Sequence, residues 1–190
     1  MPPRRTPSAV HPPSDRPSPE MVRTIQLAKR VTDATDCPVV GGVAVALHGW
    51  PRFTGDIDIY STDFWLTHQK LENAGILWDS RAREHVVDGV AIRMVGVDSL
   101  GGPPTRISAI QGVKVIGLAD LIRGKLTVGP KTIHRRKDVL DVLELIRVVP
   151  LKKDFAARLP RGLRPPFKEL VEQVHGKRRL SPIKFWKKHA

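Results

Sequence analysis

The stretch from Gly41 to Tyr60 constrains the fold of this chain more than any other part of the sequence. A short apolar run, Cys37 to Val40, precedes it and predicts a buried strand. Gly41-Gly42 ends that strand, and the small residues of 43–47 favour a short helix whose first free N–H groups lie at the two glycines. Because glycine has no side chain, a helix that begins with two glycines allows a phosphate to approach its backbone N–H groups closely. The segment therefore predicts a strand–glycine–helix unit suited to a phosphate.

A second strand is predicted from Phe53 to Tyr60, where the sequence alternates with period two. Asp56 and Asp58 project from one face of this strand, while the isoleucines between and after them face the core. Residues two apart on a strand are separated by about 6–7 Å, so the two carboxylates can share divalent cations. Phosphoryl transfer uses such a pair, because its transition state is stabilised mainly by positioned metal charge.

This order of motifs resembles the nucleotidyltransferase superfamily of DNA polymerase beta. In that family Gly-Gly or Gly-Ser follows a first strand, and Asp-any-Asp lies on the second after roughly ten to fifteen residues. Here thirteen residues, 43–55, separate Gly42 from Asp56. With Arg52 and Thr54 just ahead of the aspartates, the stretch is most similar to the small bacterial branch that includes abortive-infection toxins.

The resemblance implies that Asp56 and Asp58 are catalytic ligands of Mg²⁺ or Mn²⁺ and that the glycine pair holds the triphosphate of a nucleoside triphosphate. Arg52 either contacts a phosphate or braces Asp56. Thr54 is a further candidate for substrate binding, and its alternative role is that of an ordinary strand residue.

A second match to the same branch lies between residues 115 and 147. There, a helix bearing Lys-Leu is followed by a helix that opens with Lys-Asp and carries another Asp three residues later; Lys125-Leu126, Lys137-Asp138 and Asp141 fit this pattern. The resemblance implies that Lys125 contacts a phosphate, although a snorkelling surface lysine is the alternative. Lys137 is also a substrate-binding candidate, and its alternative role is a structural pair with Asp138.

One position departs from the family pattern. Active members usually carry a third carboxylate on a later strand, after a glycine, two variable residues and an apolar residue. Here Arg93 follows Gly89 and residues 90–92. Asp88-Gly89 predicts a two-residue hairpin loop, which places Glu84 directly opposite Arg93 on the same face. Glu84 is therefore a possible third acid, or else it forms an exposed ion pair with Arg93 and the site is degenerate.

The predicted fold is α/β (α+β), with a mixed, mostly antiparallel-edged sheet flanked by helices in the style of the polymerase-beta palm. Residues 1–19 predict a disordered proline-rich arm, residues 20–148 the nucleotidyltransferase-like domain, and residues 149–190 a helical basic extension. Ser18 is expected to cap a helix that runs to about Thr35. Its apolar face is predicted at Met21, Val22, Ile25 and Ala28, with Leu27 and Val31 at the edge. The apolar face of a later helix is predicted at Val139, Leu140, Val142, Leu143 and Ile146.

The net charge of +13 is concentrated at the C-terminal end. Residues 151–190 contain twelve Lys and Arg against three acidic residues, a net charge of +9. A basic segment of this kind, with Phe185 and Trp186 among its lysines, predicts contact with a polyanion such as RNA. No run approaches the roughly 20 apolar residues of a membrane span, and no secretory signal is expected. The single cysteine, Cys37, suits a reducing cytoplasm.

The leading functional prediction is metal-dependent nucleotidyl transfer from a nucleoside triphosphate to a hydroxyl of RNA, a small molecule or a protein. The alternative is a catalytically degenerate member of the fold that binds RNA or a protein partner in a toxin–antitoxin-like system. His85, His134 and His175 are scattered without metal-ligand spacing.

Overall fold

The computed structural model describes residues 18–128 and 136–176, which form a mixed α/β fold. The helices within these ranges are α1 (Pro19–Thr35), α2 (Gly41–Leu47), α3 (Phe64–Asn73), α4 (Leu118–Val128), α5 (Arg136–Val148) and α6 (Arg164–His175). The strands are β1 (Asp56–Tyr60), β2 (Trp78–Asp79), β3 (Glu84–Val87), β4 (Val90–Val95), β5 (Ile107–Ile110) and β6 (Val113–Ile116). Short 3₁₀ helices cover Val97–Leu100, Lys153–Arg158 and Arg161–Leu163.

The main sheet has four strands in the order β1-β4-β3-β2. β1 pairs with β4 in parallel, whereas β3 pairs antiparallel with both β4 and β2. β5 and β6 form a separate antiparallel hairpin. The predicted α/β class, with a mixed sheet, an antiparallel edge and flanking helices, is confirmed at this level.

The predicted strand at Cys37–Val40 is wrong in extent. Only Val39 makes β-bridges, one to Ile59 of β1 and one to Val115 of β6. Pro38 has no N–H to donate, and Gly41 turns the chain with a φ of 60°, so two residues remain for pairing. Val39 and Val40 nevertheless donate backbone hydrogen bonds to Lys114 (2.8 Å) and Asp58 (2.9 Å). The segment thereby joins the main sheet to the β5–β6 hairpin.

β1 is also shorter than predicted, because it begins at Asp56 rather than at Phe53. The reason lies in β4, the strand that pairs with β1. Asp56 pairs with Ala91, and β4 begins only one residue before Ala91, after the turn at Asp88-Gly89. Residues ahead of Asp56 therefore have no strand to pair with, and Phe53 is 61% exposed. Within β1 the expected alternation holds, with Ile57 and Ile59 fully buried.

The predicted hairpin turn at Asp88-Gly89 is confirmed, and a second turn of the same kind lies at Gln111-Gly112. Asp88 and Gly89 have φ values of 51° and 76°, and Gln111 and Gly112 have values of 52° and 77°. Positive φ at both central residues is the type I′ geometry, whose twist matches that of the flanking strands.

Helix α1 begins as predicted, since the Ser18 side chain accepts a hydrogen bond from the backbone N–H of Met21 at 3.2 Å. Its buried face is rotated from the prediction. Val22 is 40% exposed, whereas the buried positions are Met21, Thr24, Leu27, Ala28, Val31, Thr32 and Thr35. Three threonines belong to this face because their hydroxyls bond to backbone carbonyls one turn earlier.

The core extends into the segment predicted as a basic extension. Phe167 of α6 is fully buried and belongs to the same apolar cluster as Ile57 of β1 and Ile146 of α5. The predicted face of α5 is wrong at Leu140, which is 59% exposed, and it omitted the fully buried Leu145. Helix α5 thus presents Val142, Leu145 and Ile146 to the core.

The basic residues 177–190, with Phe185 and Trp186, lie outside the described residues, as do residues 1–17 of the predicted arm and His134. Among the described helices, none combines the length and apolar character needed to cross a membrane.

The burial of Phe167 generates a stability prediction. Phe167→Ala should lower the free energy of unfolding by about 3–5 kcal/mol, because a fully buried ring leaves a cavity, whereas Leu140→Ala on the exposed side of α5 should change it by less than about 0.5 kcal/mol. Urea unfolding of both variants measures this. A small, equal effect of the two substitutions would show that α6 is not part of the core.

Candidate active site

A cavity of about 410 Å³ opens above β1, between the start of α2 and helices α4 and α5. Eight of the nine residues predicted for the site line it: Gly41, Gly42, Arg52, Thr54, Asp56, Asp58, Lys125 and Lys137. The ninth, Glu84, is joined to the cavity through Arg93, which is itself a lining residue. Four separate segments of the sequence therefore converge on one cavity.

Asp56 and Asp58 project into this cavity because they occupy alternate positions of β1, between buried isoleucines. Asp56 Oδ1 accepts a hydrogen bond of 2.6 Å from the Thr54 hydroxyl, which fixes the orientation of that carboxylate. Within the described part of the chain, the carboxylate of Asp58 makes no hydrogen bond or ion pair. Thr54 is thus a positioning residue for one of the two acids.

The protonation of Asp58 reflects its surroundings. Burial raises the pKa of its carboxyl above the ordinary value of 3.8, and the neighbouring charge of Asp56 raises it further. The positive charges of Arg93, Lys125 and Lys137 act in the opposite direction. Removing a carboxylate from water without giving it a partner is unfavourable, so a cation bound beside Asp58 would stabilise its ionised form.

Arg93 lies at the rim of the cavity and binds two acids at once. Its Nε donates to Glu84 Oε1 at 2.5 Å, and its Nη1 forms an ion pair with Asp56. The hydrogen bond to Glu84 raises the pKa of the guanidinium, and the charge of Asp56 adds to this effect. The predicted cross-strand contact of Glu84 and Arg93 is confirmed. The additional contact with Asp56 follows from the parallel pairing of β1 with β4, which places Arg93 beside Asp58.

The glycine pair allows the chain to approach β1 closely. A Cβ atom on Gly41 would lie 2.1 Å from Asp58 Oδ2, and one on Gly42 would lie 2.5 Å from the Thr54 hydroxyl. Gly41 also has a φ of 60°, a conformation that side chains disfavour. Both positions therefore require glycine for packing against the acids of β1, whatever else their backbone contacts.

A largely buried network of charges from α4, α5 and Arg52 lies at the cavity wall. Arg52 clamps Asp141 of α5 with two hydrogen bonds, of 2.5 Å from Nε and 2.9 Å from Nη2. Lys125 Nζ lies 2.7 Å from the same carboxylate and 2.9 Å from Asp138 Oδ1. The sequence predicted that Arg52 either contacts a phosphate or braces Asp56. In the structure it braces Asp141 and not Asp56. Lys125 is 7% exposed, so it is not a snorkelling surface lysine.

Lys137 differs from these two cations. Its side chain is exposed at the cavity and makes no ion pair with any described residue, while its charge acts on Asp58. Asp138, its neighbour in sequence, is instead bonded to Lys125. Lys137 and Arg93 are therefore the cations most accessible to an anionic ligand.

A second group of potential metal ligands lies away from this cavity. His68 and Glu72 of α3 and His85 of β3 each offer a ligand atom, and these atoms lie within 4.8 Å of one another. His85, which has no metal-ligand spacing to the other histidines in the sequence, therefore belongs to a group that could hold a metal ion. The signal in the sequence was the spacing of His68 and Glu72, four residues apart on one helical face, but their meeting with His85 depends on how α3 packs on the sheet.

Comparison of the chain with protein-family models, curated proteins and solved structures finds no match.

The buried charge network generates a second prediction. Lys125→Met should lower the free energy of unfolding by about 3 kcal/mol, because breaking a buried ion pair leaves the carboxylates of Asp138 and Asp141 short of a positive charge. The matched substitution Lys137→Met, at an exposed position on the same cavity, should change it by less than about 0.5 kcal/mol. Urea unfolding distinguishes the two. Equal and small losses would contradict a bracing role for Lys125.

Proposed function

We propose that this protein is a metal-dependent nucleotidyltransferase, which transfers a nucleotide from a nucleoside triphosphate to a hydroxyl acceptor. The hydroxyl oxygen forms a bond to the α-phosphorus, and the bond to the β-phosphate breaks with release of pyrophosphate. The single observation that carries the proposal is the pair of strand carboxylates, Asp56 and Asp58, facing one cavity together with the glycine turn. The cavity volume of about 410 Å³ lies in the range of small-ligand sites, roughly 300–1,000 Å³. The resemblance to the polymerase-beta superfamily supports the same assignment.

The donor set fits Mg²⁺ or Mn²⁺. Both ions take carboxylate oxygens, and Asp58 supplies a half-buried carboxylate without a protein partner among the described residues. Asp56 accepts from Thr54 through Oδ1 and is paired with the half-exposed Arg93 through Oδ2, so a metal at Oδ2 has to displace Arg93. When bound by these two acids, the metal would supply positive charge to the reacting phosphate and favour the ionised form of the attacking hydroxyl.

The remaining residues position the substrate. Lys137 is placed to bind a phosphate oxygen, because it is exposed at the cavity and unpaired within the described chain. Gly41 keeps the space beside Asp58 free of a side chain. Arg52 and Lys125 do not contact the substrate directly. Each is bonded to a buried carboxylate and so holds the cavity wall in place.

A second candidate function, that of a degenerate fold member that binds RNA or a protein partner, is favoured by one observation. Arg93 already neutralises Asp56 and Glu84, and a positive charge there repels a divalent cation. The ion pairs of Arg93 oppose metal binding only weakly, however. The Arg93 side chain is 46% exposed, and exposed ion pairs are worth about 0–1 kcal/mol. A divalent cation can therefore displace it, which favours the enzyme over the binding module.

RNA is the proposed acceptor because of the charge of the chain. The net charge of +9 in residues 151–190 favours association with a polyanion through release of counterions. A nucleoside triphosphate in the cavity and RNA on the basic segment would make the protein a modifier of RNA ends.

The experiment is transfer of label from each of four nucleoside triphosphates to cellular RNA, with Mg²⁺ or Mn²⁺. Asp58→Asn should reduce transfer at least about 100-fold, since charge stabilisation at the reacting phosphate is lost, and chelator should abolish it. Asp33→Asn, on the exposed side of α1, is the matched control and should retain full activity.

Arg93 and Glu84 variants separate the two candidate functions. Arg93→Asp should raise the affinity for Mg²⁺ and the rate of transfer, whereas Glu84→Ala should change both little. Robust wild-type activity that Glu84→Ala destroys would make Glu84 a third metal ligand. No transfer by either the wild type or Arg93→Asp, with RNA binding intact, would favour the degenerate binding module.

A further inference from the structure

The cluster of His68, Glu72 and His85 lies at the packing interface of α3 and β3. His85 follows Glu84 directly along β3, and successive side chains of a strand point to opposite faces. Glu84 reaches Arg93 at the cavity, whereas His85 is fully buried and opposes Ile92. The cluster is therefore on the other side of the sheet from the candidate active site and shares no residue with it.

The hydrogen bonds of His85 define its tautomer. Its Nδ1 lies 2.8 Å from the backbone carbonyl of Ile76. A carbonyl oxygen can only accept, so the proton is on Nδ1. In the neutral ring Nε2 then carries a lone pair, and it lies 2.9 Å from His68 Nδ1. Metal-binding histidines are commonly oriented in this way, by a carbonyl at one nitrogen that leaves the other free to ligate.

The two other ligands approach from one face of α3. His68 and Glu72 are four residues apart, which places them one turn apart on the helix. Glu72 Oε1 is held by the backbone N–H of Trp78 at 2.7 Å, and the three residues offer ligand atoms within 4.8 Å of one another. One carboxylate and two imidazoles are thus fixed by different parts of the chain.

Aromatic rings enclose the imidazoles. Trp65 stacks on His68, with ring centroids 5.6 Å apart and planes 25° apart. The Trp78 ring meets both histidines edge-on, at 6.2 Å from His68 and 5.4 Å from His85. These contacts restrict the rotation of both rings, and such restriction preorganises ligands for a metal.

From this arrangement we infer that His68, Glu72 and His85 form a binding site for a divalent transition metal of the Zn²⁺ class. Imidazole nitrogens select Zn²⁺, Co²⁺ and Ni²⁺ over Mg²⁺ and Ca²⁺. Three protein ligands, two His and one Glu, leave a fourth position for water or another ligand. Ligands at the usual Zn–N distance in a tetrahedron are about 3.3 Å apart, so the 2.9 Å between the two ring nitrogens needs only a small expansion.

Metal binding at this cluster requires no net release of protons. The hydrogen bond between the two rings requires a proton on His68 Nδ1, and a metal at that nitrogen requires a lone pair. Transfer of this proton to His68 Nε2 converts one neutral tautomer into the other without net release. The metal then replaces the hydrogen bond between the rings and cross-links α3 to β3.

The test uses the full-length protein without an affinity tag, titrated with Co²⁺ and followed by visible absorption. The wild type should bind one equivalent with the strong bands of four- or five-coordinate Co²⁺, and Zn²⁺ should displace it. His68→Gln and Glu72→Gln should each weaken binding at least about tenfold, since even outer partners of metal ligands contribute that much. These partly exposed residues are preferable to His85, whose replacement endangers folding.

Two controls identify the site. His175→Gln, which alters a histidine bonded to Leu151 away from the cluster, should bind Co²⁺ like the wild type. Asp58→Asn should also retain the strong bands, which separates this site from the candidate active site. The inference is overturned if the wild type develops no such bands, because the rings are then a hydrogen-bonded pair only. It is equally overturned if His68→Gln titrates like the wild type, or if Asp58→Asn abolishes the bands.

Discussion

The chain turns at Gly41 directly against the carboxylate of Asp58, and the arrangement of the cavity depends on this close approach. A side chain at 41 would overlap Asp58 Oδ2. On one side of the turn, the N–H of Val40 bonds to the carbonyl of Asp58, and Val39 bridges β1 to β6. On the other side, α2 begins and packs behind β1 with its valines buried. One backbone reversal therefore joins the two sheets and forms the floor beneath the two acids.

The charges around the cavity fall into two groups that differ in burial. Arg52, Lys125 and Asp141 are mostly buried and mutually bonded, and breaking such a pair costs about 3–5 kcal/mol. Arg93 is half-exposed, and its pairs are worth about 0–1 kcal/mol. The first group is consequently fixed and shapes the wall, while Arg93 and Lys137 can move to meet an anionic ligand. In the proposed enzyme, phosphate contact therefore falls to the exposed Lys137, whereas Arg52 and Lys125 hold the cavity wall.

Short-range patterns in the sequence were sufficient for several parts of the site. The shared face of Asp56 and Asp58 follows from the period of a strand, and the Glu84–Arg93 contact follows from a two-residue turn at Asp88-Gly89. The Arg93–Asp56 contact was not predictable in this way, because it requires the parallel pairing of β1 with β4, two strands separated by α3, β2 and β3.

Other features depend on packing between distant segments. The clamp of Arg52 on Asp141 spans 89 residues, and no local pattern relates those positions. His68 and His85 meet only because α3 lies against β3. The prediction for the buried face of α1 is wrong at Val22, because apolar character alone favours Val22 over Thr24. The Thr24 hydroxyl donates a hydrogen bond to a backbone carbonyl, so this residue can be buried. Each of these features depends either on a contact between distant segments or on a side-chain hydrogen bond. Neither can be inferred from the hydrophobicity of the sequence.

The central claim is that Asp56 and Asp58 together hold a divalent cation in the cavity beside a nucleotide. A crystal of the protein grown with Mn²⁺ and a non-hydrolysable nucleoside triphosphate, measured for anomalous scattering, tests it most directly. The account predicts an anomalous peak between the two carboxylates, with Arg93 withdrawn from Asp56 and a phosphate within reach of Lys137. A nucleotide bound in the cavity with no manganese peak at these acids, and Arg93 still paired to Asp56, would contradict it.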